Sequence, residues 1–146
     1  MPLRRDIEIV ARAEKIELVT ILLKSRDEMP RAFDVFVARS VDGVLTQPSI
    51  GLQAAADLGL KAGLPTISFR REFADAGGLF SYGSAQPAMY AIVAADVDKV
   101  LKGAPPGSLP VQQASRMELI VNQKTARTLG LVLPPMFLAR ADEVIE

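Results

Sequence analysis

PTISFRREFADAGGLFSYG, residues 65–83, joins two short β-rich runs through a charged turn and a Gly-Gly break. Thr66, Ile67 and Phe69 on one side, and Leu79, Phe80 and Tyr82 on the other, have the apolar, β-branched and aromatic texture of strands. Gly77 and Gly78 fall where the chain has to reverse sharply, which favours a residue able to take positive φ. They do not make a phosphate-binding loop, because no glycine-rich run ending in lysine leads from a strand into a helix.

Upstream of this stretch, Leu3, Ile7, Val10 and Ala11 lie at helical spacing and predict an amphipathic helix at the start of the chain. IELVTILL, residues 16–23, is nearly continuous in apolar and β-branched residues and predicts a strand covered on both faces. Ser25 and Glu28 have capping-box spacing, and Met29, Ala32, Phe33, Phe36 and Val37 mark one face of the helix that follows, with Pro30 tolerated in its first turn. GVLTQ, residues 43–47, predicts a short strand; PSIGLQAAADLGLKAG predicts a helix capped by Ser49 and stopped at Gly63. Strands and helices alternating through short connections indicate an α/β fold with a doubly wound, mainly parallel sheet. Ligands of such sheets bind outside the carboxyl ends of the strands, which puts Gln47, Pro48 and Ser49 on the same rim as Phe69, Arg70 and Arg71.

Downstream, Met89, Ile92, Val93, Val97, Val100 and Leu101 recur at helical intervals up to Gly103 and predict the longest helix of the chain. The turn-rich APPGSLP leads to PVQQASRMELIVN, residues 110–122, read as two extended pieces in which Met117, Leu119 and Val121 alternate against Glu118. Asn122 is expected to cap a helix ending at Leu129 and Gly130, and Pro134 and Pro135 to open a final amphipathic helix through Phe137, Leu138 and Val144. The change of texture at Ala104 divides the chain into an α/β lobe, residues 1–103, and a terminal portion, residues 104–146.

Composition narrows the chemistry. The 146 residues, 49% hydrophobic, suffice for one domain with its own core, and 17 basic against 17 acidic residues leave no net field to attract nucleic acid. Without cysteine or histidine there is no disulfide, thiolate zinc site or Ser-His or Cys-His pair. Asp6, Glu8 and Glu14 interrupt the apolar spacing at the N-terminus, so it does not read as a signal peptide, and no run approaches the ~20 apolar residues of a membrane span.

Arg70, Arg71, Glu72 and Asp75 crowd the end of a predicted strand. One arginine could grip a ligand carboxylate with two parallel hydrogen bonds while Glu72 takes an amino group or orients the arginine; alternatively the acidic residues merely complement a helix dipole. Phe69 and Tyr82 could stack on a flat ligand or fill core, and Thr46, Gln47 and Ser49 offer neutral hydrogen-bonding groups. No catalytic residue, metal or cofactor is expected, since one carboxylate–arginine cluster is too little for a convergent acid, base and nucleophile.

The segment REFADAGGLFSYG, the VDKVLKGAPPGSLPVQQ connector and the closing NQKTARTLGLVLPP and ARADEVIE resemble the carboxyl-terminal half of ABC transporter substrate-binding proteins of the tryptophan/tyrosine-permease type. The resemblance implies the type I periplasmic-binding-protein fold, with flavodoxin-like lobes that close by a hinge on a small solute and deliver it to an ABC permease. By position it implies ligand contacts at Thr46, Gln47, Pro48 and Ser49, at Phe69, Arg70 and Glu72, and at Ser81, Tyr82, Gly83 and Ser84, the last group near the crossover to the first lobe. An amino acid or another small carboxylate is the implied solute, although TQPSIGL has no acidic or asparagine side chain to hold an amino group. Family members carry an export signal, a first lobe and a further strand ahead of the helix expected after Arg4, so the resemblance implies a truncated chain whose residues 104–146 would pack on that lobe or, failing it, refold or form a homodimer. It implies an extracytoplasmic location, against a cytoplasmic one if Met1 is the true start. Two other functions are a stand-alone dimerising sensor and a small enzyme using Glu72 or Asp75.

Overall fold

Residues 2–112 and 116–146 are described by a computed structural model. The sheet has five strands in the order of the sequence: β1 (Val44–Leu45), β2 (Thr66–Ser68), β3 (Phe80–Ser84), β4 (Met117–Asn122) and β5 (Glu143–Ile145). β1, β2 and β3 are parallel, β4 runs antiparallel to β3, and β5 is parallel to β4. The helices are α1 (Pro2–Ala13), α2 (Met29–Ala38), α3 (Leu52–Ala62), α4 (Arg71–Asp75), α5 (Gln86–Leu101), α6 (Gln123–Thr128) and α7 (Pro135–Leu138). The expected α/β architecture with a mostly parallel sheet is therefore present, and residues beyond 104 extend that same sheet.

The core lies between the sheet and α2, α3 and α4. Met29 and Phe33 from α2, Val44 from β1, Ala55 and Ala56 from α3 and Phe73 from α4 form its buried cluster. Small residues let these layers approach: alanines face α2, and a Cβ at Gly59 would run into the Thr66 side chain. Because neighbouring residues in a ladder share a face, Val44, Thr66, Ser68 and Ser81 look towards the helices. Leu45 and Tyr82 look the other way and are 46% and 52% exposed, while Phe80 on that face meets Phe137 of α7 edge-on at 5.7 Å.

The Gly-Gly break performs two tasks. Gly77 turns the chain out of α4 at φ 97°, and Gly78 abuts the Phe73 ring so closely that a Cβ would overlap it. The turn is fastened from the far end of the chain. Asn122 Oδ1 accepts from the Thr125 N–H at 3.0 Å, capping α6 as expected, while its Nδ2 donates to the Ala74 carbonyl at 2.9 Å and the Thr125 hydroxyl donates to the Gly77 carbonyl at 2.9 Å. A second fastening is an ion pair: both nitrogens of the Arg71 fork donate to the Glu143 carboxylate at 2.6 Å, joining α4 to β5. Each partner shifts the other towards its charged form, so the Glu143 carboxyl lies below the usual glutamate range and the Arg71 guanidinium above its own.

Several expectations are corrected. Residues 16–23 form no strand; Ile16, Leu18 and Leu22 are 58%, 41% and 71% exposed. An apolar run becomes a strand only with a ladder neighbour, and the sheet ends at β1, a strand of two residues that pairs with β2. Ser25 makes no side-chain cap; Glu28 accepts from the Lys24 N–H at 2.8 Å, and a 3-10 turn (Arg26–Glu28) intervenes before α2. Val37 and Val10 are exposed, although Met29, Ala32 and Phe33 of α2 and Ala11 of α1 are buried as expected; the expectation for the Leu3 side chain lies outside the described residues. Ser49 does not cap α3, because a 3-10 turn (Pro48–Ile50) passes into Gly51 at the N-cap.

The longest helix, α5, is found, but none of its residues is buried: after β3 it leaves the sheet without meeting a covering layer among the described residues. In β4 the expected alternation gives way to consecutive burial of Ile120, Val121 and Asn122, because this end lies between β3 and β5, while Met117 is 44% exposed. The first extended piece expected in residues 110–122 falls partly on residues 113–115, outside the described residues. The last helix stops at Leu138, and Val144 belongs to β5: Asp142 bonds the Leu119 N–H through its carboxylate and the Leu119 carbonyl through its own N–H, both at 2.9 Å, which launches the chain along β4.

Three outcomes follow for stability. Phe73→Ala empties the centre of the core and is expected to cost about 3–5 kcal/mol in urea unfolding; a loss below about 1 kcal/mol would mean that α4 does not dock as described. Asn122→Ala removes a cap and one of the hydrogen bonds to the Ala74 carbonyl, which keeps its bond from the Gly77 N–H at 3.1 Å, an expected loss of about 1–3 kcal/mol, which a change within 0.5 kcal/mol of zero would contradict. Glu143→Gln should lower Tm at neutral pH and low salt, with the gap to the parent chain closing as pH falls through the depressed glutamate pKa. The sign follows from a folded-state pKa below the unfolded value of about 4.3: the carboxylate's contribution is complete above that value and lost beneath it. A gap that persists at pH 2 would assign the effect to something other than charge.

Candidate functional site

The three parallel strands end on one edge of the sheet, and β4, running the other way, begins there. Ser84 at the end of β3 is paired with Met117 at the start of β4, its hydroxyl 3.8 Å from the Met117 sulfur. This rim gathers the segments after β1, after β2 and at the end of β3, which include the residues expected from the sequence.

Two hydroxyls fix the geometry beneath it. The Thr46 hydroxyl donates to the Ile67 carbonyl at 3.2 Å, and the Ser68 hydroxyl donates to the Thr46 carbonyl at 3.0 Å. Both side chains are buried, so Thr46 braces the rim from within and its neighbour Gln47 is the first exposed residue after β1. Pro48 and Ser49 follow in the 3-10 turn, half-buried and exposed respectively. Ser68 was not singled out from the sequence; a small polar residue inside an otherwise apolar strand was the available signal.

The segment after β2 crosses directly over the end of β3. The Phe69 carbonyl sits so close to Gly83 that a Cβ there would overlap it, so residue 83 has to be glycine for this contact. Phe69 itself is half-buried. Arg70 then turns its fork onto Glu72, with Nε at 3.2 Å from one carboxylate oxygen and Nη2 at 2.8 Å from the other. This bidentate pairing fixes the guanidinium plane and directs its remaining donors. The hydrogen bonds from Arg70 hold Glu72 below the usual glutamate range, and Glu72 raises Arg70 in turn. Arg71, next in sequence, is drawn aside to Glu143, with Asp75 at 3.4 Å, so the two adjacent arginines have separate duties.

On β3, Ser81 is buried beside Ser68 on the helix side, whereas Tyr82 stands exposed on the opposite face and Gly83 and Ser84 are partly exposed. The rim thus brings together Gln47, Ser49, Arg70, Glu72, Tyr82 and Ser84 at or near the surface, with Thr46 and Ser81 beneath. Met117 was assigned to a strand from its sequence, but its place at this edge depends on β4 running antiparallel to β3, a long-range pairing that local pattern does not encode.

Chemically, this surface offers a fixed cation, amide and hydroxyl groups and one exposed phenol. A carboxylate held ionised by a paired arginine is a weak proton acceptor, so Glu72 is better suited to orientation than to proton transfer. Among the described residues, no group of three or more aspartate, glutamate, histidine or cysteine side chains is placed to hold a metal ion, and no helix is long and apolar enough to cross a membrane. Two grooves, about 220 and 300 Å³, lie along residues 16–23, and none of the rim residues lines them.

Three solved structures share the fold. A conserved domain protein from Vibrio cholerae O1 biovar El Tor superposes with a TM-score of 0.88 at 23% identity, covering 98% of this chain and 49% of its own. The ABC domain in complex with L-Trp from Streptococcus pneumoniae gives 0.84 at 23% identity over 97% and 50% of the two chains. A ligand-free, open structure of a substrate-binding protein with adhesive properties from Clostridium difficile gives 0.68 at 15% identity over 95% and 48%. The chain thus spans about half the length of these proteins. No curated protein matches it. The family described as ABC transporter substrate binding protein matches residues 4–145, and the chain belongs to that family.

Proposed function

We propose that this chain forms one wall of a solute-binding cleft and that the solute is an amino acid or another small carboxylate, passed to an ABC permease. The observation that carries the reading is the Arg70 guanidinium, held in plane by Glu72 at the carboxyl ends of parallel strands. A cation with a set orientation suits a carboxylate, and the exposed Tyr82 offers a flat apolar face to a side chain. The L-Trp complex of the S. pneumoniae domain supports the tryptophan/tyrosine-permease type within the family.

In this reading Gln47, Pro48, Ser49, Phe69, Arg70, Glu72, Tyr82 and Ser84 face the solute, Thr46 and Ser81 support them, and Gly83 admits the Phe69 carbonyl. Residues 1–103 act as the second lobe of a two-lobe binder and residues 104–146 carry surface that a first lobe would cover. The work is binding without catalysis, on the extracytoplasmic side of a membrane, as is usual for substrate-binding proteins of importers.

The test is an amide-resolved NMR titration of the chain with L-Trp, L-Tyr and tryptamine. The expected outcome is perturbation of the Gln47, Arg70 and Gly83 amides by the amino acids, with tryptamine, which lacks the carboxylate, at least tenfold weaker. Arg70→Gln should abolish that difference. At a hundred times its dissociation constant a true ligand adds about 2.7 kcal/mol of stability. Absence of any rim perturbation across a set of amino acids and small carboxylates would remove the proposal.

A further inference from the structure

Past the end of β3 the chain turns at once into α5, and the turn is anchored to the sheet. The Ala85 N–H donates to the Arg116 carbonyl at 3.0 Å, next to the pairing of Ser84 with Met117. The first turns of α5 are therefore held beside the rim. Gln86 opens the helix and Tyr90 follows it four residues on, on the same face. The Tyr90 hydroxyl donates to Gln86 Oε1 at 3.0 Å, and Tyr90 is 66% exposed. We infer that the Tyr90 phenol oxygen, its proton committed to Gln86, accepts a hydrogen bond from the ammonium group of the solute and so selects α-amino acids over carboxylates that lack the amine. The inference rests on the reading of Arg70 as the receptor for the solute's carboxylate.

Two observations set this phenol apart from an ordinary surface side chain. The first is its polarity. A phenol has one proton to give, and once that proton is directed at the Gln86 amide oxygen only lone pairs remain towards solvent, so the group is presented as an acceptor. The second is its neighbour. The hydrogen bond and charge of Glu72 keep the Arg70 guanidinium above its usual range, and Tyr90 adds to them from α5, which puts the phenol within electrostatic reach of that cation.

The chemistry of an amino acid fits this arrangement. Its carboxylate and ammonium sit on one carbon, so their receptors have to be neighbours. Arg70 spends Nε and Nη2 on Glu72 and makes no bond from Nη1 among the described residues, which leaves donors for the carboxylate. The ammonium brings donors only and needs acceptors. Both Glu72 oxygens already accept from Arg70, Asp75 lies 3.4 Å from Arg71, and residues 46–52 contain no acidic or asparagine side chain. Tyr90 supplies an acceptor that no cation occupies. Its neutrality also matters: a carboxylate on α5 within reach of Nη1 would pair with it and compete with the solute, whereas a phenol leaves those donors open.

The experiment measures dissociation constants from the rim amides for L-Trp and for indole-3-propionate, which keeps the ring and the carboxylate and lacks the amine. L-Trp is expected to bind about tenfold more tightly or better, the value of a hydrogen bond to a charged group. In Tyr90→Phe, which removes only the oxygen, this preference should fall to within about twofold, with the loss falling on L-Trp. Gln86→Leu leaves the ring and hydroxyl in place but frees the phenol proton, and should lower the same ratio. Glu72→Gln, by loosening Arg70, should weaken both ligands together and keep the ratio. A preference that survives both Tyr90→Phe and Gln86→Leu, or one that falls only in Glu72→Gln, overturns the inference while the carboxylate reading of Arg70 stands, provided that Arg70→Gln still removes the difference between L-Trp and tryptamine. No rim perturbation by any of these ligands would remove the carboxylate reading and this inference with it.

Discussion

Packing of the Phe73 ring against Gly78 is the contact on which the remaining architecture depends. It lets a five-residue helix, too short to be stable alone, lie flat under the sheet between β2 and β3. From that position α4 presents Arg70 and Glu72 at its entrance and Arg71 along its first turn, so the arrangement of charge at the rim is inherited from a contact in the core. The Gly77 carbonyl, just past the helix, is satisfied by the Thr125 hydroxyl, and the Ala74 carbonyl, which already accepts from the Gly77 N–H, takes a second hydrogen bond from Asn122. Residues 48 apart in the chain thereby share one polar junction.

Much of this was legible in the sequence because it depends on local chemistry. A break at Gly77, a cap at Asn122, a stop at Gly63 and strands at 44–45, 66–68 and 80–84 all follow from residue type and spacing. The rim was legible for the same reason, since short βα connections dictate parallel strands and parallel strands dictate a shared carboxyl edge. What was not legible depends on partners distant in sequence. Residues 16–23 have every local property of a strand and lack a neighbour; Val144 was placed on a helix because its pairing with β4 is invisible to periodicity. The different fates of Arg70 and Arg71 were likewise hidden, because Glu143 lies 72 residues from Arg71.

The rim is built in two tiers with different physics. Thr46 and Ser68 are buried and exchange hydrogen bonds with backbone carbonyls, so they set the spacing of strand ends in a low-dielectric setting where an unpaired group is costly. Arg70 and Glu72 lie above them at the surface, where water screens their attraction. Their pairing adds little to the stability of the chain and serves mainly to orient the guanidinium. Substitutions in the lower tier would therefore be felt as loss of fold, and those in the upper tier would leave the fold in place and, under the proposed function, change recognition.

The uncovered apolar residues of α5 have a consequence for the chain as a colloid. Leu101 is 81% exposed, with Val93 and Val97 more than half exposed on the same helix, and Val132 and Met136 are exposed near the end of the chain. Exposed apolar patches attract one another in water, and ordinarily a net charge keeps such molecules apart. Here the seventeen positive and seventeen negative side chains cancel, so near neutrality almost no long-range repulsion opposes that attraction. The concentration that a solution of this chain tolerates is governed less by its core than by whatever shields α5.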